Sequence, residues 1–202
     1  GNIKNKKQKQ KRYLIESQMQ IDSRLANKDY DFSYCIFTCF ANFSNTQFTK
    51  KASFRCAQFE ATTGFGQTIF EGYTDFSYCE FRKTSTPHIF CLCHFKAGVD
   101  FSKSVMISPQ FSLSIFEYDA DFKGCKLVCA NFNMAHFKGA ACFSNTIFAN
   151  YLFFSQAEFQ DVAKFDNAKF IYHAKIQEDM LKNYPSNSSS ILHNPKIDFS
   201  KT

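Results

Sequence analysis

His88, Cys91, Cys93 and His94 place four metal-ligating side chains within one short stretch of this 202-residue chain. Tetrahedral zinc sites bring their ligands as spaced pairs, such as C-x2-C and H-x3-H, so that the donors converge on one point. Here the spacing is C-x-C-H. On extended backbone successive side chains alternate sides, which sends Cys93 one way and His94 the other. The spacing therefore favours core cysteines and surface histidines over a metal centre. Catalysis needs acids, bases or nucleophiles that converge. The sequence has no Gly-rich phosphate loop, no Ser-His-Asp arrangement and no paired carboxylates, and its charged residues are scattered. The reading is of a non-enzymatic protein without cofactor or metal.

The second chemically distinctive group is cationic. Lys4, Lys6, Lys7, Lys9, Lys11 and Arg12 put six positive charges and no acid into residues 1–12, which equals the net charge of +6 of the whole chain. Everything after Arg12 is balanced. Such a segment is a solvated tail, or it contacts an anionic membrane or a nucleic acid. The chain opens on Gly1-Asn2 rather than Met, which reads as a fragment of a longer chain with the basic run flanking a membrane helix. Within the sequence no apolar run approaches 18 residues, and no secretory signal is visible. Nine cysteines at scattered spacings do not make a disulfide framework and point to a reducing, cytoplasmic compartment.

What must position these groups is a phenylalanine repeat. Phe32, Phe43, Phe54, Phe65 and Phe76 are spaced by eleven, and so are Phe37, Phe48, Phe59, Phe70 and Phe81. The steps alternate five and six. The pattern returns with Phe132, Phe143, Phe154 and Phe165, interleaved with Phe137, Phe148, Phe159 and Phe170. An eleven-residue period also suits a right-handed coiled coil. Against that, the residue two before each Phe is nearly always small, as at Ala41, Ala52, Thr63, Thr74 and Ala141. Residues i and i−2 share a side only on extended backbone. Cys35, Cys79, Cys93 and Cys125 fill the same small slot and act there as small hydrophobes. Each unit is then one short side of a coil, with its Phe buried only when coils stack.

The units Ala41-Asn42-Phe43-Ser44-Asn45, Thr74-Asp75-Phe76-Ser77-Tyr78, Ala120-Asp121-Phe122-Lys123-Gly124 and Ala130-Asn131-Phe132-Asn133-Met134 resemble the pentapeptide-repeat family. The resemblance covers about residues 30–172, where 24 of the 27 Phe stand at unit centres and only Phe40, Phe153 and Phe199 do not. It implies an all-β solenoid, a right-handed quadrilateral β-helix of six or seven coils with the central Phe inside. Alternate steps of six lengthen a coil to 22 residues, with an extra corner residue on two opposite sides. Met106 and Leu127 stand in for Phe at two centres. Asp31, Asn42, Asp75, Asp100, Asp121 and Asn131 face outward and bond corner amides.

Around this rod the sequence predicts a tail and capping helix over 1–29, with helix over 12–27 that closes the first coil or pairs two chains. It predicts the repeat domain over 30–172, and a second capping helix with a flexible tail over 173–202. Within the rod, residues 82–89 with Pro87 form a protruding loop, Pro109 distorts its side, and Leu152-Phe153-Phe154 bulges. The function expected is that of a structural scaffold for a protein partner. The alternatives are a DNA-mimicking topoisomerase binder, as the resemblance allows, and a cytoplasmic domain of a membrane-anchored protein. A strongly acidic surface is what mimicry of DNA requires, and a balanced rod does not supply it.

Overall fold

The computed structural model describes residues 12–26, 30–82, 84, 86–171 and the backbone of 197–198. The chain winds into a parallel β-solenoid whose coils stack as seven levels. Each level has four short sides. The first face carries Cys35–Phe37, Gln58–Phe59 and Glu80–Phe81, then Val105–Ile107 and its successors. The second begins at Ala41–Asn42, the third at Gln47–Phe48 and the fourth at Ala52–Ser53. All pairings between levels are parallel, and every central residue sits over its counterpart, Phe37 over Phe59 and Phe48 over Phe70.

Four files of rings fill the interior. Rings one level apart lie 4.4–5.2 Å centroid to centroid and within 20° of parallel. That distance is the spacing of hydrogen-bonded strands, so the backbone ladder sets the stacking. Within a level the rings meet edge to face, as Phe43 does with Phe54 at 84°. Both arrangements suit the aromatic quadrupole. From Phe32 to Phe143 the central Phe are fully buried or within 1% of it. Each contributes about 1.5–3 kcal/mol of burial.

Two corner types follow from the two step lengths. After a five-residue step the chain makes a hydrogen-bonded turn, Cys35 N donating to Phe32 O and Thr46 N to Phe43 O at 3.2 Å. The residue two after the Phe takes positive φ, from Tyr34 at 62° and Asn45 at 59° up to Asn167. Asn and Gly tolerate this region; Tyr34, Cys56 and Leu92 occupy it at a cost. Corners with six-residue steps need no such residue, except at Phe148, where Asn150 is left-handed and the ladder shifts register between Val128 and Ala130. That shift is the bulge expected beside Leu152. The outward Asx residues behave as expected too. Asp31, Asn42, Asp75, Asp100, Asp121 and Asn131 each accept the amide two residues on, at 2.6–3.1 Å.

The inward slot does more than stay small. Thr68, Cys79, Cys93, Ser104, Ser114, Cys125 and Thr146 each donate to the carbonyl of a Phe one level below, at 2.5–2.9 Å. Cys79, Cys93 and Cys125 are donors there, not merely small hydrophobes, whereas Cys35 accepts from Arg24. Each of these Phe carbonyls also accepts the turn amide of its own corner, so the slot donor adds a second, net-modest hydrogen bond that ties one level to the next.

Three expectations need correction. A helix over 12–27 gives way to a strand, β1 (Tyr13–Ile15), followed by α1 (Gln18–Ala26). β1 pairs parallel with Cys35–Phe37 and covers the open edge of the first face, a stronger demand than local helix propensity. α1 sits against the second face with Ile21 fully buried. Gln18 mimics a strand neighbour there, its amide donating to Asn42 O and accepting from Asn42 N at 3.0 and 3.1 Å. The Arg24 guanidinium covers the exposed end of one ring file, 5.3 Å from Phe32. Second, Pro109 does not distort its side: it is buried and in register with His88. Like Ala41 and Ala130 on the same face, it fills the slot without a side-chain donor. Third, the loop after Phe81 is a three-residue insertion, with 25 residues between Phe81 and Met106 instead of 22. It returns to the ladder at His88–Ile89.

Lys4, Lys6, Lys7, Lys9 and Lys11, and the capping helix and tail predicted over 173–202 apart from the backbone of 197–198, lie outside the described residues. Arg12 is exposed and donates to Gln58 Oε1 at 3.5 Å. Ile197–Asp198 pairs parallel with Ala163–Lys164 on the fourth face.

Candidate interaction surface

The interior is occupied by ring files, so chemistry available to a ligand is on the outside. The His88, Cys91, Cys93, His94 cluster is dispersed by the fold. Cys93 is buried, bonded to Phe65 O, and desolvation pushes its thiol far above the usual range. Cys79 and Cys125 are raised for the same reason, which makes these thiols poor nucleophiles. Cys91 sits half-buried at the corner. His94 points outward from the third face to Glu117, 2.8 Å away. Among the described residues no group of three or more His, Cys, Asp or Glu could hold a metal ion.

His88 departs from the surface-histidine reading. It is fully buried, its Nε2 2.7 Å from Arg82 O and its ring edge-on to Phe81. Its Nδ1 has no partner. Burial lowers its pKa from the ordinary value, and the hydrogen bond to Arg82 O partly opposes that. The sequence held the signal: His88 is two before Phe90, in the inward slot.

The outward residues of the third face form a charged ladder. Glu117 bridges His94 and Lys138, and these two hydrogen bonds lower its pKa. Gln47 and Lys96 meet at Glu71, and His136 meets Glu158. Exposed pairs of this kind are worth little stability.

The first face changes character along its length. In its lower half Arg82 pairs with Glu60 and Glu80. Above it, Ile107, Val128, Ala149 and Ile171 stand in register, one per level. Beside them run Val105, Lys126, Ile147 and Lys169. Val105 and Ile171 are exposed. A straight apolar file on the outside of a filled coil has no role in closing the core.

The outward Asx at each turn and the left-handed corner residue define the repeat on structural grounds. Residues 118–150 match the family model for pentapeptide repeats, in 8 copies. That segment carries pentapeptide repeats. Among solved structures, two trypsin-treated variants of QnrB1, described as a plasmid-mediated fluoroquinolone resistance protein, are similar to this chain. One covers 85% of this chain and 96% of its own at 12% identity and a TM-score of 0.23. The other covers 73% and 84% at 15% identity and 0.18. Scores that low carry no argument about this chain. Among curated proteins nothing matches. No helix among the described residues is long and apolar enough to cross a membrane.

Proposed function

We propose that this pentapeptide-repeat rod is a non-catalytic scaffold that holds a protein partner against its first face. The observation that carries the reading is the in-register file Ile107, Val128, Ala149 and Ile171. It is flanked by Lys126 and Lys169 and starts where the Glu60–Arg82–Glu80 ion pairs stop. A rigid ladder of this kind fits a partner surface with an apolar ridge edged by acids, because packed apolar area supplies the affinity and the lysines supply orientation. Free thiols at all nine cysteines suit a reducing cytoplasm. Mimicry of DNA gains no support from the rod, since residues 30–171 hold twelve acidic and twelve basic side chains. The basic run from Lys4 to Arg12 is available to an anionic membrane or nucleic acid, and deleting residues 1–12 would remove that salt-dependent binding.

The test compares the full chain with the double variant Ile107→Asp, Val128→Asp as bait for a cross-linked partner. Loss of the partner with an unchanged melting temperature supports the docking face. Capture that is equal for both proteins removes it.

A further inference from the structure

At the corner between the third and fourth faces, Tyr73 and Tyr118 project from levels two apart, with Gly98 on the level between them. The two rings are 44% and 63% exposed. A Cβ at Gly98 would touch the Tyr73 ring at 3.5 Å and Asp119 O at 3.6 Å. The missing side chain thus leaves an open slot over bare backbone. The resulting cleft, about 390 Å³, is lined by Tyr73, Tyr118, Gly98, Val99, Asp100, Asp119 and Asp121.

The three carboxylates each use one oxygen on a backbone amide, Asp100 from Ser102, Asp119 from Ala140 and Asp121 from Lys123. Among the described residues none of the three forms an ion pair, whereas the glutamates of the third face do. The Tyr73 ring already attracts a cation, with Lys51 Nζ 5.6 Å from its centroid. Burial and the nearby Asp100, Asp75 and Asp121 hold its phenol protonated to higher pH than usual.

We propose that this cleft binds the guanidinium group of an arginine presented by the scaffold's protein partner. A guanidinium is flat and weakly hydrated, stacks on aromatic faces and forks onto a carboxylate. The slot offers partners for both contacts, the rings of Tyr73 and Tyr118 and the carboxylates of Asp100, Asp119 and Asp121. An ammonium offers only a point charge and gives up more hydration. The identity of the source rests on the scaffold reading. The recognition chemistry does not, and it is tested without any partner.

The experiment titrates the 15N-labelled full chain with N-acetyl-arginine amide, N-acetyl-lysine amide and the neutral N-acetyl-citrulline amide. The expected result is saturable amide shifts at Gly98, Val99 and Asp119 with the arginine compound, weaker binding of the lysine compound and none of the citrulline compound. Gly98→Leu, which fills the slot, and Asp100→Asn should each abolish the shifts while the rest of the spectrum stays in place. If Gly98→Leu perturbs folding, Tyr73→Leu serves instead. No shift with arginine, equal shifts with citrulline or lysine, or shifts that survive these variants would overturn the assignment. Failure of the Ile107→Asp, Val128→Asp comparison would remove the scaffold's docking face and leave this titration unaffected.

Discussion

The lower and upper halves of the first face differ inside and out. Below, Phe37 stacks on Phe59 at 4.7 Å and Phe59 on Phe81 at 4.4 Å, and Glu60, Glu80 and Arg82 of the outer face are ion-paired. Above, Met106 and Leu127 interrupt the file before Phe148 resumes it, and the outer row turns apolar. The other three files run through the same levels unbroken, from Phe90 to Phe111 to Phe132 in the second and from Phe95 to Phe116 to Phe137 in the third. One file can therefore lose its rings without loss of register. The coil is set by corner turns and strand ladders, and the rings fill the space that those define. The outer row answers to no such demand and is free to carry function.

The largest effect should come from breaking an unbroken part of that file. Phe59 is fully buried, with Phe37 below it and Phe81 above. Phe59→Ala should cost about 3–5 kcal/mol in urea denaturation, because stacked coils cannot collapse into the gap. Phe148, near the end of the described rod and 3% exposed, should cost less. Equal losses at both sites would deny that the halves differ.

Next come two glycines of one corner. A Cβ at Gly72 would lie 2.5 Å from the backbone of Lys50 and Lys51, so Gly72→Ala should destabilise by about 1–3 kcal/mol. Gly98→Ala meets only ordinary contacts at 3.5 Å or more and should leave the melting temperature nearly unchanged. Similar losses from both would mean that the levels are not packed as described.

Smaller still are the slot donors. Thr146→Val and Ser104→Ala remove the donors to Phe122 O and Phe76 O and should each cost about 0.5–1.5 kcal/mol. The two donors serve different levels, so their effects should add.

The smallest effect is pH dependence from His88. Its folded pKa lies below the ordinary 6.5, so below that pH the unfolded chain binds the proton more readily. Stability should therefore fall as pH drops through about 6.5. His88→Leu should flatten that slope, and an unchanged slope would place the responsible group elsewhere.

Most of the fold was legible because burial imposes its period on the sequence. Phe at the centres, small residues two before them and Asx one before them all read directly as sides of a coil. What was not legible had nonlocal causes. Tyr13-Leu14-Ile15 became a strand because an open edge lay 22 residues further on. Pro109 keeps its place in the ladder, buried and in register with His88. His88, expected at the surface, is buried because its position two before Phe90 turns it inward and Arg82 O accepts from its Nε2 in place of water. The outer surface was the least legible. The file from Ile107 to Ile171 and the slot at Gly98 are assembled from residues about 21 apart, and neither leaves a motif in any one repeat.

The central claim is that rings one level apart lie face to face in the core, as Phe48 does over Phe70 and Phe70 over Phe95. Ring-selective labelling of phenylalanine with nuclear Overhauser spectroscopy tests it most directly. Cross-peaks from Phe48 to Phe70 and from Phe70 to Phe95, with ring signals shifted by their neighbours, are the predicted result. Ring signals at free-peptide positions with no such cross-peaks would contradict it.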